Sequence, residues 1–173
     1  MKWLFRCLAP LGLLLAACGP DEIAEAPPPQ TEIGEVQSYF CAMSLVEHDG
    51  PKAQLYLPDR EEALWFASIR DLFTYLQFPD VQGRMRGAYV TDLAALGADG
   101  AVPARAWIDA RDAYYVLDSA YSGGMGLSEA VPFAERAAAE AFMADQGGRL
   151  ARFNDIDADW VFAFGDDANG ERS

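Results

Sequence analysis

Thiols and imidazoles are scarce in this chain of 173 residues, which contains three cysteines and one histidine. A closed zinc site usually takes four cysteine or histidine ligands. This chain has four such residues in total, and two of the cysteines are predicted below to have other fates, so it cannot supply a closed zinc site. Basic side chains are also few, because 13 lysines and arginines stand against 27 aspartates and glutamates. The formal net charge of −14 makes nucleic acids and anionic lipid surfaces unfavourable partners.

Common catalytic motifs are absent as well. The sequence contains no G-x-S-x-G nucleophile elbow and no H-E-x-x-H zinc motif. A cysteine nucleophile needs a neighbouring base, and His48 is the only imidazole available. The glycine-rich stretch 122–126 lacks the lysine and hydroxyl residue of a phosphate-binding loop, and no calcium-binding loop appears. The sequence therefore favours a carrier or binding protein over an enzyme.

One apolar run, residues 8–15, follows two basic residues near the N-terminus and is short for a membrane-spanning helix. Small residues and then Cys18 come next, in the order typical of a bacterial lipoprotein signal. We predict that residues 1–17 are a signal peptide and that Cys18 is the lipidated residue. An ordinary secretory signal is the alternative. Gly19 follows in place of an aspartate that would retain the protein in the inner membrane, which favours the outer membrane.

The next segment, residues 18–37, is acidic and rich in proline. Such a composition favours extended polyproline conformations and offers little apolar surface to bury. We predict a disordered linker here, followed by one domain at 38–166 and a polar tail at 167–173.

Inside the domain, short strand-like segments alternate with two helical patterns, and small residues at 94–104 separate two halves, about 38–98 and 104–160. The predicted elements of the first half are strands at 45–48 and 53–57, a helix at 61–78 and a strand at 84–93. Those of the second half are strands at 106–109 and 113–117, a helix at 133–146 and a strand at 149–153. The order predicts an α+β domain of two similar ββαβ halves with antiparallel pairing.

Cys41 is the one cysteine expected to remain a free thiol, because Cys7 leaves with the signal and Cys18 takes the lipid. A solitary exported thiol indicates a metal ligand, a reactive group or an intermolecular bond, with a small buried apolar side chain as the alternative. Met43 would share a face with Cys41 if the segment were extended. A thiolate and a thioether are soft donors, which select Cu(I) over hard cations.

Met125 lies between glycines and has no helix or strand to pack within. We predict that it is a third sulfur ligand, with an exposed apolar loop residue as the alternative. His48, or a residue of a partner, is the candidate fourth ligand, although a lone histidine is more often an ordinary surface or core residue.

Several segments together resemble the NosL family, the lipoprotein accessory proteins of nitrous oxide reductase. The matching segments occur in family order over about residues 39–156, and they are 41–43, 67–73, 89–92, 107–110, 113–116, 123–126, 132–133 and Phe153. The resemblance implies a periplasmic Cu(I) chaperone built from two ββαβ halves. It places Cys41, Met43 and Met125 at the family's cysteine and two methionines.

The resemblance also implies a cellular role, which is delivery of copper for assembly of the copper-sulfide centre of nitrous oxide reductase. The expected partners are a membrane ABC transporter of the maturation complex with its periplasmic partner, and through them the reductase. A metal-free lipoprotein adaptor of the same machinery is the alternative. A thiol enzyme is less favoured: the family fold resembles that of organomercurial lyase, whose chemistry needs more than one cysteine.

The sequence departs from the family pattern at three positions. Many relatives carry a second cysteine a few residues before Cys41, and its absence here excludes a two-thiolate site. Many also have glycine where Ala42 stands. The family loop often has proline at the position of Gly124, so we expect a more flexible loop around Met125.

Overall fold

Seven strands form two antiparallel sheets in the computed structural model, which describes residues 26–98, 100–123 and 126–163. The strands are β1 (Ala53–Tyr56), β2 (Leu64–Phe66), β3 (Gly87–Thr91), β4 (Trp107–Asp109), β5 (Tyr114–Leu117), β6 (Val131–Phe133) and β7 (Arg149–Ala151). The α-helices are α1 (Ile69–Leu76), α2 (Arg136–Gln146) and α3 (Ala158–Phe162). Short 3-10 helices lie at Leu45–Glu47, Leu93–Ala95, Ala104–Ala106 and Phe153–Asp155.

The two sheets have related strand orders, β2-β1-β3-β4 and β6-β5-β7. In each sheet the first strand is central, the second lies on one side and the strand after the helix lies on the other. The order strand-strand-helix-strand thus occurs twice, and β4 extends the first sheet by pairing with β3. The α+β class and the antiparallel pairing are confirmed, while close similarity of the two halves stays a prediction.

Helix α1 packs at the centre of the main core. Its apolar residues Ile69, Leu72 and Phe73 are buried, and the Phe73 ring lies 5.4 Å from that of Tyr115 in the second sheet. The Ser68 hydroxyl accepts a hydrogen bond from the backbone N–H of Asp71, which satisfies one of the free donors at the start of the helix. The helix therefore begins at Ile69 and not at residue 61, where the predicted helix starts.

Both predicted helices start too early for the same physical reason. Residues 64–66 and Phe133 were assigned to helices, but they lie in β2 and β6, which pair with β1 and β5. Both strands are fully buried, so their apolar side chains are continuous instead of alternating. The predicted strand at 45–48 is also wrong: Leu45–Glu47 forms a 3-10 helix, and β1 makes its hairpin with β2.

The first sheet is covered on both faces. Along β1, Ala53 and Leu55 point into the main core, while Tyr56 belongs to a second cluster with Trp65 and Trp107. Residues 26–37, which the sequence assigned to the linker, pack on this second face, where Gln30 bonds with Gln54. The folded part therefore begins earlier than residue 38, because the sheet provides apolar and polar partners for an extended segment. No helix in the described ranges has the length and apolar character to span a membrane.

Candidate metal site

Cys41 lies in a tight loop, residues 38–43, which we call the Cys41 loop. The backbone N–H of Ser38 donates to the Met43 carbonyl at 2.8 Å, and the N–H of Ala42 donates to the Ser38 carbonyl at 2.8 Å. Ala42 has φ +57°, in the left-handed region. The expectation that Cys41 and Met43 share a face of an extended segment is therefore wrong, since a turn sets their relative directions.

The sulfur residues of this loop are accessible. Cys41 is a free thiol of intermediate burial, and Met43 exposes 40% of its surface. Tyr39 and Phe40 are also exposed, and their rings lie against Tyr75 and Phe78 at centroid distances of 5.2 and 6.2 Å. A metal ion or a partner can therefore reach both sulfurs from solvent.

Hydrogen bonds attach the Cys41 loop to β2 and to the residues that follow it, before α1. The N–H of Tyr39 donates to the carbonyl of Trp65 at 2.7 Å, and the N–H of Ala67 donates to the hydroxyl of Ser38 at 3.3 Å. We call residues 65–71 the β2–α1 segment. Because these bonds fix both the backbone and a buried side chain, the Cys41 loop has a defined position on the first sheet.

His48 is buried and lies just after the 3-10 helix that follows the Cys41 loop. Its Nε2 atom is buried and has no hydrogen-bond partner among residues 26–98, 100–123 and 126–163. A buried polar atom left unpaired costs about 1–3 kcal/mol, so a ligand that binds Nε2 would remove a penalty. Burial raises the pKa of Asp71, and the neighbouring His48 and then Arg70 oppose that rise.

Met125 and Gly124 lie outside the described residues, as does Cys18. The arms of their loop are described: Ser122 pairs with Ser128, and the N–H of Gly123 donates to the carbonyl of Leu127 at 3.0 Å. The structure therefore gives the base of the loop without placing the predicted methionine ligand.

Glu129 joins this base to the β2–α1 segment, and sequence reasoning missed it. Its carboxylate is buried, and Oε1 accepts hydrogen bonds from the N–H of Arg70 at 2.7 Å and of Ala130 at 3.0 Å. Arg70 also donates through Nη1 to the carbonyl of Ser128 at 3.1 Å. Burial is the main cause that raises the pKa of Glu129 to about 7. Nothing in the sequence distinguishes Glu129 from the rest of the 27 acidic residues, so only the fold shows that it is buried.

The β2–α1 segment thus bonds to the Cys41 loop and to the arm that follows the Met125 loop. In the described part of the chain, no three His, Cys, Asp or Glu side chains are grouped to hold a metal ion. A site of three such side chains is therefore not formed by the described residues.

Comparisons with known proteins identify the family of this chain. The sequence model of the NosL family matches residues 31–161. The copper-binding lipoprotein NosL of Achromobacter cycloclastes is 40% identical over 144 residues, which cover 83% of this chain and 74% of that protein. The protein of the same name from Stutzerimonas stutzeri is 29% identical over 148 residues, with the same coverage.

A solved structure supports the fold as well. The crystal structure of the copper chaperone NosL from Shewanella denitrificans aligns with a TM-score of 0.70 and 32% identity. The alignment covers 78% of this chain and 99% of that one. The resemblance found in the sequence is confirmed, and the chain is a member of the NosL family.

Proposed function

We propose that this protein is a lipid-anchored periplasmic chaperone for Cu(I). The observation that carries the proposal is the position of the β2–α1 segment, which bonds both to the Cys41 loop and to the arm of the Met125 loop. In the proposed site, the Cys41 thiolate is the main ligand, Met43 and Met125 supply thioethers, and His48 is the candidate fourth ligand.

The chemistry of these donors suits a carrier. Thiolate and thioether sulfurs are soft and prefer Cu(I), and thioethers are neutral ligands that exchange easily. Binding to Cys41 releases the thiol proton, while the methionines and a neutral imidazole need no proton change. A partner can then replace one ligand at a time, so the ion moves without changing its oxidation state.

The relatives support copper as the metal, since two are named copper-binding lipoproteins and one a copper chaperone. We further propose that Cys18 carries the lipid, with the outer membrane favoured. The acceptor in this proposal is the nitrous oxide reductase maturation machinery, a membrane ABC transporter with its periplasmic partner. Through it, copper reaches the copper-sulfide centre of the reductase.

Competition for Cu(I) tests the site. The mature protein is titrated with Cu(I) against a chelator of known affinity, and Cys41→Ala is compared with the wild type. We expect one Cu(I) per wild-type chain and a loss of about 100-fold or more in affinity for the variant. Met143→Leu, on α2, is the control and should bind normally. Unchanged affinity in Cys41→Ala would contradict the proposed site.

A metal-free adaptor is the second candidate, and the exposed apolar side chains around Cys41 favour it. Tyr39, Phe40, Met43 and Val46 each expose 40% or more of their surface. Such a group can mark a contact surface for another protein. The adaptor predicts no stoichiometric copper after purification, which the same titration decides.

A further inference from the structure

We propose that the outer face of the first sheet forms a binding groove for residues 26–30. Docking of these residues in the groove shortens the tether between the lipid anchor and the domain. We call residues 26–30 the strap. The shortening of the tether rests on the lipid anchor, which is part of the proposed function. The docking itself rests only on contacts within the described residues.

Gln54 is the central contact of the groove. It is fully buried in β1, and its side chain exchanges two hydrogen bonds with the backbone of Gln30. The N–H of Gln30 donates to Gln54 Oε1 at 2.9 Å, and Gln54 Nε2 donates to the Gln30 carbonyl at 2.7 Å. The two bonds resemble a hydrogen-bonded pair in a β-ladder, with the side-chain amide of Gln54 in the place of a backbone peptide group. Without the strap, Gln54 Nε2 would lose the Gln30 carbonyl as its acceptor, whereas Oε1 would keep the Tyr56 hydroxyl at 3.2 Å.

Two tyrosines extend the contact along the strap. The hydroxyl of Tyr89 donates to the carbonyl of Pro27 at 3.0 Å, and the single proton of the Tyr56 hydroxyl is shared between the Pro28 carbonyl at 3.3 Å and Gln54 Oε1 at 3.2 Å. Proline carbonyls in an extended segment have no internal hydrogen bonds and are free to accept from such donors. The groove therefore suits a proline-rich segment, because the tyrosine hydroxyls bind backbone carbonyls and proline has a carbonyl but no N–H group.

Gly87 shows how closely the strap approaches the sheet. A Cβ atom added at Gly87 would lie 2.3 Å from the Cβ of Ala26, so only glycine fits in β3 at this point. Farther along, Ile33 and Val36 pack on the cluster of Trp65 and Trp107. The segment is thus held by polar contacts at its start and by apolar contacts after it.

Docking changes the reach of the tether. If the whole linker 18–37 were free, it could extend to about 70 Å, since an extended chain spans at most ~3.3–3.6 Å per residue. With the strap docked, only residues 19–25 separate the lipidated Cys18 from the fold, and their reach is about 25 Å. The domain is then held close to the bilayer, with the first sheet's outer face as the fixed attachment point.

Two measurements on the mature, lipidated protein test these steps. Hydrogen exchange reports whether the Gln30 amide is protected. Energy transfer from the native tryptophans to a dansyl-headgroup lipid, in phosphatidylethanolamine and phosphatidylglycerol vesicles, reports the distance to the membrane. The variants are Gln54→Ala, which removes the amide pair, and Gly87→Ala, which displaces Ala26. Gln82→Ala, at an exposed position, is the matched control.

We expect the Gln30 amide to exchange at least about tenfold faster in Gln54→Ala and Gly87→Ala than in the wild type, and energy transfer to fall in both. The control should match the wild type, and Cu(I) affinity should stay unchanged in all four proteins. If one variant does not fold, the other decides the result. A wild-type Gln30 amide that exchanges as in a free peptide, or equal energy transfer in all proteins, would overturn the inference.

The failures of the two proposals are distinguishable. The mass of the purified protein shows whether Cys18 is lipidated, and a protein without lipid would overturn the short tether together with the anchor. Protection of Gln30 would still decide whether the groove binds the strap. Failure to bind Cu(I) would contradict the chaperone function and leave both readouts of the strap unaffected.

Discussion

The backbone N–H of Arg70 donates a hydrogen bond of 2.7 Å to Oε1 of Glu129, 59 residues later in the chain. Arg70 itself is buried, and its guanidinium stacks on the Trp160 ring at 4.6 Å and donates to the Trp160 carbonyl at 3.0 Å. These contacts join the start of α1, the arm after the glycine-rich loop and the end of α3. They also bury an ionisable carboxyl whose charge depends on pH near neutrality.

The first prediction concerns that carboxyl. Burial raises the pKa of Glu129 from 4.5 to about 7, so the native state binds more protons than the unfolded state between these values. The stabilising contribution is fully present below pH 4.5 and is lost as pH rises to about 7. We expect the free energy of unfolding to fall across this window, by on the order of 3 kcal/mol from this group.

Urea unfolding of the wild type and Glu129→Gln at several pH values measures the effect. The glutamine has no proton to lose, so the difference in stability between the two proteins should change between pH 4.5 and 7 and stay constant above. The other ionisable groups are common to both proteins and cancel in that difference. Parallel pH profiles would show that Glu129 does not titrate in this window.

The second prediction follows from the backbone of Ala42. Its φ of +57° is unfavourable for a residue with a Cβ atom and neutral for glycine. We expect Ala42→Gly to raise the free energy of unfolding by about 0.5–1 kcal/mol, measured by urea denaturation. Ala141→Gly, inside α2, is the control and should lower it by about 1 kcal/mol. Destabilisation of equal size by both changes would show that the left-handed turn is not strained.

The third prediction concerns Ser38 as a support of the Cys41 loop. Its N–H, carbonyl and hydroxyl all make hydrogen bonds, to Met43, Ala42 and Ala67 respectively. We expect Ser38→Ala to weaken Cu(I) binding roughly tenfold, because removal of a group that orients metal ligands typically has that effect. Competition with a chelator measures it.

Two further variants separate this role from general stability. Ser38→Thr retains the hydroxyl and should recover most of the affinity, and Ser44→Ala, just outside the loop, should leave it unchanged. Wild-type affinity in Ser38→Ala would mean that the backbone bonds alone hold the loop.

The fourth prediction concerns the reactivity of Cys41. The thiol is partly accessible, so iodoacetamide should modify it in the metal-free protein. One equivalent of Cu(I) should protect it, because the thiolate is then coordinated, and mass spectrometry counts the modified chains. Protection should weaken in Met43→Leu and remain in Met143→Leu. Equal modification with and without Cu(I) would favour the metal-free adaptor.

Much of the fold could be predicted from local patterns. The predicted strand segments cover β1, β3, β4, β5 and β7, and the predicted helical spacing covers α1 and α2 but not the short helix α3. β2 and β6 could not be assigned, since a strand buried on both faces has a continuous apolar sequence like that of a buried helix. The choice between the two depends on what lies on each face, which is a tertiary property.

For the candidate site, the sequence by itself determined the inventory of donors in the domain: one cysteine, a methionine two residues later, another between glycines, and a single histidine. These counts limit the metal chemistry wherever the residues lie. Only the tertiary structure decided that a turn at Ala42 orients Cys41 and Met43, that Glu129 is buried, and that Gln54 binds the strap. The burial of Glu129 and the pairing of Gln54 depend on contacts between residues distant in the chain, which local composition does not encode.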